Sequence, residues 1–447
     1  MTLADVTLRD ASDAALAALA DELAAEIAKT AQHYDLSGEF PHEHFELLRQ
    51  RGALKLTLPR ELGGGGISLY QLLLFQERLA RGSGSTALAL GWHLMVFGYL
   101  SFDLKWQRPA FERLCRDVVQ RGDLINVLVT EREAGNLLRG SKPTTVARKT
   151  GQGYLIQGRK AFCSAAPGLG QMIVYALVED EGRVAEFLVP RSDRVRVIDN
   201  WNTIGMRSTG SHDIEFDQVL VPHDALLSYI DPGQSSSFMT GSRAFGLQLS
   251  AVYLGIATAA RDFALDFADR YHSHSLGGSI LDAPQVQQKL GEIELLIGAA
   301  KTQLYGLAER WERHDAIKHR LDHEVAITKH QVGNHAIRIV ELAMGIVGGH
   351  ALSKDLPLER YFRDVQCGRY NPPQDDMVLA NLAKSATAAL RASRQAEAEA
   401  SKQRPADASQ PGVAAPAKAS AAAAAATQSA VTGTADALET PLAALVD

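Results

Sequence analysis

Asp375 and Asp376 stand side by side ahead of Met377. Such a carboxylate pair can take up a proton in acid–base chemistry, or it can cap the amino end of a helix, which the spacing to Met377 suits well. Thr130 follows an apolar run, where a hydroxyl can cap a turn. Ser208 and Thr209 precede Gly210 and read as a polar turn, and Phe162 reads as a core aromatic. His212, His272, His274 and His350 suit surface or core positions. Cys115, Cys163 and Cys367 form no CxxC pair and lie near no His at metal-ligand spacing. That pattern gives no metal site, argues against a disulfide framework and fits a reducing compartment.

Those side chains need elements to hold them, and 447 residues are too many for one ordinary core. The formal charge of -6 comes without a basic patch, so no nucleic-acid partner is expected. No run of about 18 uninterrupted apolar residues predicts a membrane span. The first residues do not read as a signal peptide, and the expected location is the cytoplasm. From 12 to 120 the pattern is helical: Leu16, Leu19, Leu23 and Ile27 paint one face, and Leu72, Leu73, Phe75 and Leu79 follow the loop Gly63 to Gly66. From about 121 to 232 the period becomes two. Gly151-Gln152-Gly153 predicts a hairpin turn, and Met172 to Val178 predicts a strand buried on both faces. Dense strands without helices between them predict an antiparallel β-barrel or sandwich. From about 233 to 400 helical stripes return through Val252, Ile256, Phe263 and Phe267, then Val286, Leu290, Ile293 and Ile297, then Ile337, Val340 and Met344. After 400 an Ala/Pro/Ser-rich stretch predicts a disordered tail, 401–447.

Five ordered motifs carry a resemblance. They are Val129-Thr130-Glu131 with Ala134-Gly135-Asn136, Gly158-Arg159-Lys160-Ala161-Phe162-Cys163-Ser164-Ala165, and Gly205-Met206-Arg207-Ser208-Thr209-Gly210-Ser211. Phe216-Asp217-Gln218-Val219 leads on to Val221-Pro222, and Gly348-Gly349-His350 precedes Glu359-Arg360-Tyr361-Phe362-Arg363-Asp364. Together they resemble the acyl-CoA dehydrogenase family over most of the chain. The resemblance implies an α+β multidomain fold: an N-terminal helical domain (1–120), a central antiparallel β-barrel (121–232) and a C-terminal four-helix bundle (233–400). It implies FAD between barrel and bundle, α,β-dehydrogenation of an acyl-CoA thioester with hydride transfer to flavin N5, and a place in fatty acid metabolism. It also implies a homo-oligomer, dimer or tetramer, and an electron-transferring flavoprotein as redox partner. On this footing Val129, Thr130, Gly135, Asn136, Phe162 and Ser164 contact the cofactor. Arg270, Gly348 and Gly349 join them, and Ser208 and Thr209 contact flavin or substrate.

The sequence departs from the family at two places. The catalytic Glu position reads Pro372, so Asp375 and Asp376 become the nearest candidates for the proton acceptor. The first bundle helix, from Arg243 to Gln248, offers no carboxylate in its place, and the usual R-x-x-F-G segment has Arg270 one turn upstream. The alternative is a flavin-dependent monooxygenase on the same fold, fed reduced flavin by a separate reductase. The histidines named above could then serve oxygen chemistry at the flavin.

Overall fold

The computed structural model describes residues 7–102, 106–134, 142–230, 243–274 and 277–402. The candidates Gly135 and Asn136, and nearly all of the tail 401–447, lie outside them. The chain divides into two compact units, 1–384 and 385–447; the described part of the second is helical.

The first unit opens with α1 (Ala11–Ser37), α2 (His42–Gln50), α3 (Leu69–Ala80), α4 (Gly84–Phe102) and α5 (Arg108–Arg121). Asp10 caps α1, Ser68 and Gln71 close a capping box on α3, and Pro109 stands in the first turn of α5. The predicted face of α1 is the buried one: Leu16, Leu23 and Ile27 lie in the core, with Leu19 packed at its margin. Leu72, Leu73, Phe75 and Leu79 of α3 are fully buried.

A sheet follows, from β1 (Leu124–Leu128), β2 (Val146–Thr150), β3 (Gly153–Lys160) and β4 (Leu169–Val178). It continues with β5 (Arg183–Pro190), β6 (Val195–Ile198), β7 (Asp213–Val221) and β8 (Leu226–Ile230). The predicted hairpin joins β2 and β3, and β4 is buried along most of its length. The closed antiparallel barrel is corrected. The strand order β6-β7-β3-β2-β4-β5-β8 leaves β6 and β8 as separate edges, and β1 and β2 both pair with β4 in parallel. Side-chain alternation shows which face of a strand is buried, but not the direction of its neighbour, so closure was not readable from it.

The C-terminal helices are α6 (Gln248–Arg270), α7 (Pro284–Arg313), α8 (Asp322–Val347), the short α9 (Leu358–Gln366) and α10 (Asp375–Lys402). Helices α6, α7 and α8 pack on one another, and α9 lies on α6 and α8. Gly348, at φ 68, ends α8 where the predicted stripe stops. Helix α10 begins at Asp375, two residues before Met377, so Asp375 and Asp376 stand in its first turn instead of capping a helix that starts at Met377. Among the described residues, no helix is long and apolar enough to cross a membrane.

Candidate functional site

The chain leaving β1 and the chain leaving β3 run side by side, with Ala161 N–H donating to the Thr130 carbonyl at 2.8 Å. Their junction is fixed from below by a buried ion pair. The Lys160 ammonium meets the Glu131 carboxylate at 2.6 Å with both side chains essentially out of solvent. Thr144 donates to Glu131 from its backbone and hydroxyl at 2.6 and 2.5 Å, and Thr145 N–H at 3.1 Å. Burial alone would push the Glu131 carboxyl up. Lys160 and the threonine donors outweigh it and hold the group at about 2.

The segment after β3 is then hydrogen-bonded to the one before β7. Cys163 N–H donates to the His212 carbonyl at 3.0 Å, Ala165 N–H to that of Thr209 at 2.9 Å, and Ala166 N–H to that of Gly210 at 3.0 Å. Buried hydroxyls line this seam: Ser164 Oγ lies 2.9 Å from Ser211 Oγ, which lies 2.7 Å from Thr209 Oγ1. Ser208 beside them is buried as well. Cys163 points inward, and burial pushes its thiol up.

Phe162 does the opposite. It adopts φ 57, a left-handed conformation rare for an aromatic, and remains 53% exposed. The reading of Phe162 as an ordinary core aromatic therefore fails. Trp201 stands edge-on to it with centroids 6.1 Å apart, and the Arg132 guanidinium lies 5.3 Å from its ring centre. Arg132 is anchored by the fully buried carboxylate of Asp213, which accepts from its Nε and Nη2 at 2.9 and 3.0 Å and from Arg159 Nε at 2.9 Å. Burial opposes ionisation of Asp213, but the two arginines and Asn200 keep its carboxyl below the usual range. His212 accepts from Asn200 N–H and Trp201 N–H at its Nδ1, both at 3.1 Å, and burial lowers its pKa. It is a neutral brace of this turn.

The loop from Trp201 to Met206 joins the sheet to the helices. Trp201 Nε1 and Thr209 Oγ1 both donate to the Met206 carbonyl, at 3.0 Å each. Met206 N–H donates to Asp364 of α9 at 2.6 Å. A Cβ on Gly205 would lie 2.2 Å from the Arg363 carbonyl, so only glycine allows this approach. Asp364 is completely buried, which pushes its carboxyl up to about 6 even though the Met206 N–H opposes this.

The structure thus brings Val129, Thr130, Phe162, Ser164, Ser208 and Thr209 to one end of the sheet. Arg270 and Gly348-Gly349 fall in a second place, at the carboxyl end of α6. There His350 packs against Phe267 and Tyr271, and Arg270 pairs with Asp266 at 2.6 Å. Asp375 is in a third. Its carboxylate accepts from Lys329 Nζ at 3.0 Å and from Asn334 Nδ2 at 2.8 Å on α8. Burial alone would raise the Asp375 carboxyl; Asn334 and Lys329 hold it below its usual value. Asp376 is exposed and accepts from Met377 N–H at 2.8 Å. In the same loop Asn371 donates to the hydroxyl of buried Tyr253.

Roles for Glu131, Lys160, Arg132, Arg159, Asp213 and Asp364 escaped the sequence reading, although all but Arg132 and Asp213 stood in its motifs. Their charge at buried motif positions was the available signal, since a buried ion requires a partner. The first place suits a flat heteroaromatic ligand. Phe162 offers an uncovered ring face, and backbone and hydroxyl groups at its margin can bond the ligand's edge.

The chain is similar to known proteins over most of its length. Three sequence profiles match: acyl-CoA dehydrogenase N-terminal domain over residues 10–102, middle domain over 126–219 and C-terminal domain over 247–372. The putative acyl-CoA dehydrogenase YdbM of Bacillus subtilis is 39% identical over 81% of this chain and 94% of its own. The L-evernosamine nitrososynthase of a Micromonospora species is 29% identical over 78% of this chain and 83% of its own. The FMN-bound structure of TdsC, a dibenzothiophene monooxygenase of Paenibacillus sp. A11-2, superposes with a TM-score of 0.73. It is 25% identical, covering 82% of this chain and 95% of that one.

Proposed function

The chain belongs to the acyl-CoA dehydrogenase family, and from that premise we propose that it is an FAD-dependent enzyme that α,β-dehydrogenates an acyl-CoA thioester. The observation that carries this reading is the outward ring of Phe162 beside Thr130 and the hydroxyl seam of Ser164, Ser211 and Thr209. Bound there, the flavin would supply an acceptor for the hydride leaving the β-carbon. Phe162 would cover one face of the ring system, while Thr130 and Ser164 would offer hydrogen bonds along its edge, with Val129 beside them. The ion pairs beneath, Glu131 with Lys160 and Asp213 with Arg132 and Arg159, hold these groups in place without being consumed in contacts to the ligand. Arg270, Gly348, Gly349, Gly135 and Asn136 are assigned to the remainder of the cofactor. Ser208 and Thr209 are assigned to substrate or flavin. An electron-transferring flavoprotein would take the electrons onward, from a dimeric or tetrameric enzyme.

The α-proton needs a carboxylate. Asp375 is committed to Lys329 and Asn334 and is a weakened base, which leaves Asp376 as the proposed acceptor. The engagement of Asp375, with Pro372 at the family's Glu position, favours one second reading: oxygenation by a supplied reduced flavin. The deciding experiment mixes the FAD-loaded protein with a panel of saturated acyl-CoA esters without oxygen. Bleaching of the flavin, slowed in Asp376→Asn, is expected. A flavin left oxidised by the whole panel, with oxygen uptake when reduced flavin is supplied, would replace the first reading by the second. A Phe162→Ala variant is expected to bind FAD at least about tenfold more weakly with its unfolding midpoint unchanged, because the lost ring surface is solvent-facing.

A further inference from the structure

The hydroxyls of the seam beside Phe162 form a chain whose proton positions are fixed from one end. A carbonyl oxygen has no proton to give, so the 3.0 Å contact between Thr209 Oγ1 and the Met206 carbonyl needs the Thr209 proton. The Met206 peptide is held against turning over. Its N–H donates to the buried carboxylate of Asp364 at 2.6 Å, and its carbonyl also accepts from Trp201 Nε1 at 3.0 Å. A hydroxyl carries one proton and two lone pairs. With its proton spent on Met206, Thr209 must accept at its 2.7 Å contact with Ser211 Oγ, and Ser211 must donate. Ser211 then has no proton left for its 2.9 Å contact with Ser164 Oγ, so there Ser164 donates.

Each step is forced by the one before, because two oxygens at these distances repel without a proton between them. Thr209, Ser211 and Ser164 are all buried, which leaves little room for water to supply a substitute proton. Ser164 ends the chain. Its Oγ meets no other partner among the described residues, and its proton is committed inward. Toward a ligand it therefore presents lone pairs and no donor. Phe162, two residues earlier, is the outward ring on which a flavin would lie. Hydride uptake at flavin N5 turns that nitrogen from a bare acceptor into an N–H donor. A hydroxyl that can only accept favours the second form over the first.

We propose that Ser164, linked through Ser211 and Thr209 to the Met206 carbonyl, is a hydrogen-bond acceptor toward flavin and makes this site bind the reduced cofactor in preference to the oxidised one. On this assignment Ser164 contacts the cofactor, and the hydroxyls of Ser211 and Thr209 act through it as positioning groups. The preference raises the reduction potential of the bound flavin. That assists hydride uptake in a dehydrogenase and retention of supplied reduced flavin in an oxygenase. This inference rests on flavin lying beside Phe162, which both readings of the site share, and not on an acyl-CoA substrate.

The test measures the reduction potential of bound FAD, with no acyl-CoA present. FAD-loaded protein is reduced without oxygen by dithionite beside a reference dye, and its midpoint is compared with that of free FAD at the same pH. The wild type is expected to bind reduced FAD at least about tenfold more tightly than oxidised FAD, a midpoint raised by about 30 mV or more. Ser164→Ala and Thr209→Val are each expected to abolish most of that rise, whereas Thr209→Ser, which keeps the hydroxyl, should retain it. In the Ser164→Ala background Thr209→Val should have no further effect, since both cut the same chain. If Thr209→Val does not fold, Ser211→Ala, which deletes the middle hydroxyl, takes its place. A wild-type midpoint at or below that of free FAD would overturn the proposal. So would an unchanged midpoint in Thr209→Val or Ser211→Ala, or losses that add in the double variant. FAD that does not bind overturns the site and the proposal together. A raised midpoint that depends on Thr209, in a protein whose flavin no saturated acyl-CoA bleaches, sinks the dehydrogenase reading and leaves the Ser164 assignment standing. Bleaching without the preference does the reverse.

Discussion

The end of the sheet around Phe162 and the loop around Asp375 both hold buried charge, but they use it differently. Beneath Phe162, every ion is paired with another ion that has no part in contacting a ligand: Glu131 with Lys160, and Asp213 with Arg132 and Arg159. The ring itself faces out and is half exposed, with Arg132 and Trp201 against it. In the loop, the Asp375 carboxylate is itself the structural ion, bonded to Lys329 and Asn334. The first region separates support from chemistry, whereas the second merges them. On the proposed reading, the platform for the cofactor and the proton acceptor are therefore built independently of each other.

Three substitutions would break or sharpen that contrast. The largest effect is expected from Lys160→Met, which strands Glu131 as a buried, uncompensated charge. A loss of about 3–5 kcal/mol is anticipated by chemical denaturation at neutral pH. The loss should shrink below pH 4.5, because the unfolded carboxyl protonates there while the native one, at about 2, gives up its advantage as the pH falls. A loss under about 1 kcal/mol would mean that the platform does not depend on this pair.

Asp364→Asn comes second, and its sign is opposite. The native carboxyl titrates at about 6 and the unfolded one at 3.8, so the folded state holds the proton longer. Stability of the wild type should fall as pH rises from about 4 to about 6, by up to about 3 kcal/mol. Asparagine still accepts from Met206 N–H and removes that cost. Its advantage over the wild type should be absent near pH 4 and complete above pH 6, as read from unfolding midpoints across that range. An advantage that does not vary with pH would dissociate the effect from the carboxyl.

Asp375→Asn should cost least, about 1–3 kcal/mol, since the pair with Lys329 is only partly shielded. Its bleaching rate with an acyl-CoA should match the wild type. A rate lowered a hundredfold or more, with stability intact, would move Asp375 from support to catalysis and erase the contrast.

Much of this was readable in the chain. The stripe of Leu16, Leu23 and Ile27 and the run from Met172 to Val178 have the burial their periods predict, because periodicity records which side faces the core. The order of motifs brought Thr130, Phe162 and Ser164 to one place. Pairing direction was not readable: β4 takes β1 and β2 in parallel, and nothing in the alternation of Val146 to Thr150 distinguishes that from the antiparallel case. The partner of Glu131 was hidden by a sequence separation of 29, and that of Asp213 by one of 81 from Arg132. The exposure of Phe162 was hidden because its conformation is imposed by the hydrogen-bonded seam and not by its own preference. The commitment of Asp375 depends on where α8 presents Lys329, a tertiary fact.

The opposed directions of Phe162 and Cys163 have a practical consequence. The thiol of Cys163 is 1% exposed and directly behind the ring that faces out. A water-soluble alkylating reagent reaches it only when the two hydrogen-bonded segments part, so its labelling rate is a clock for local opening of the platform. With Cys115 equally buried and Cys367 partly accessible, mass spectrometry of the separated peptides would time that opening residue by residue. A ligand seated on Phe162 should slow the clock at Cys163 while leaving the one at Cys115 untouched.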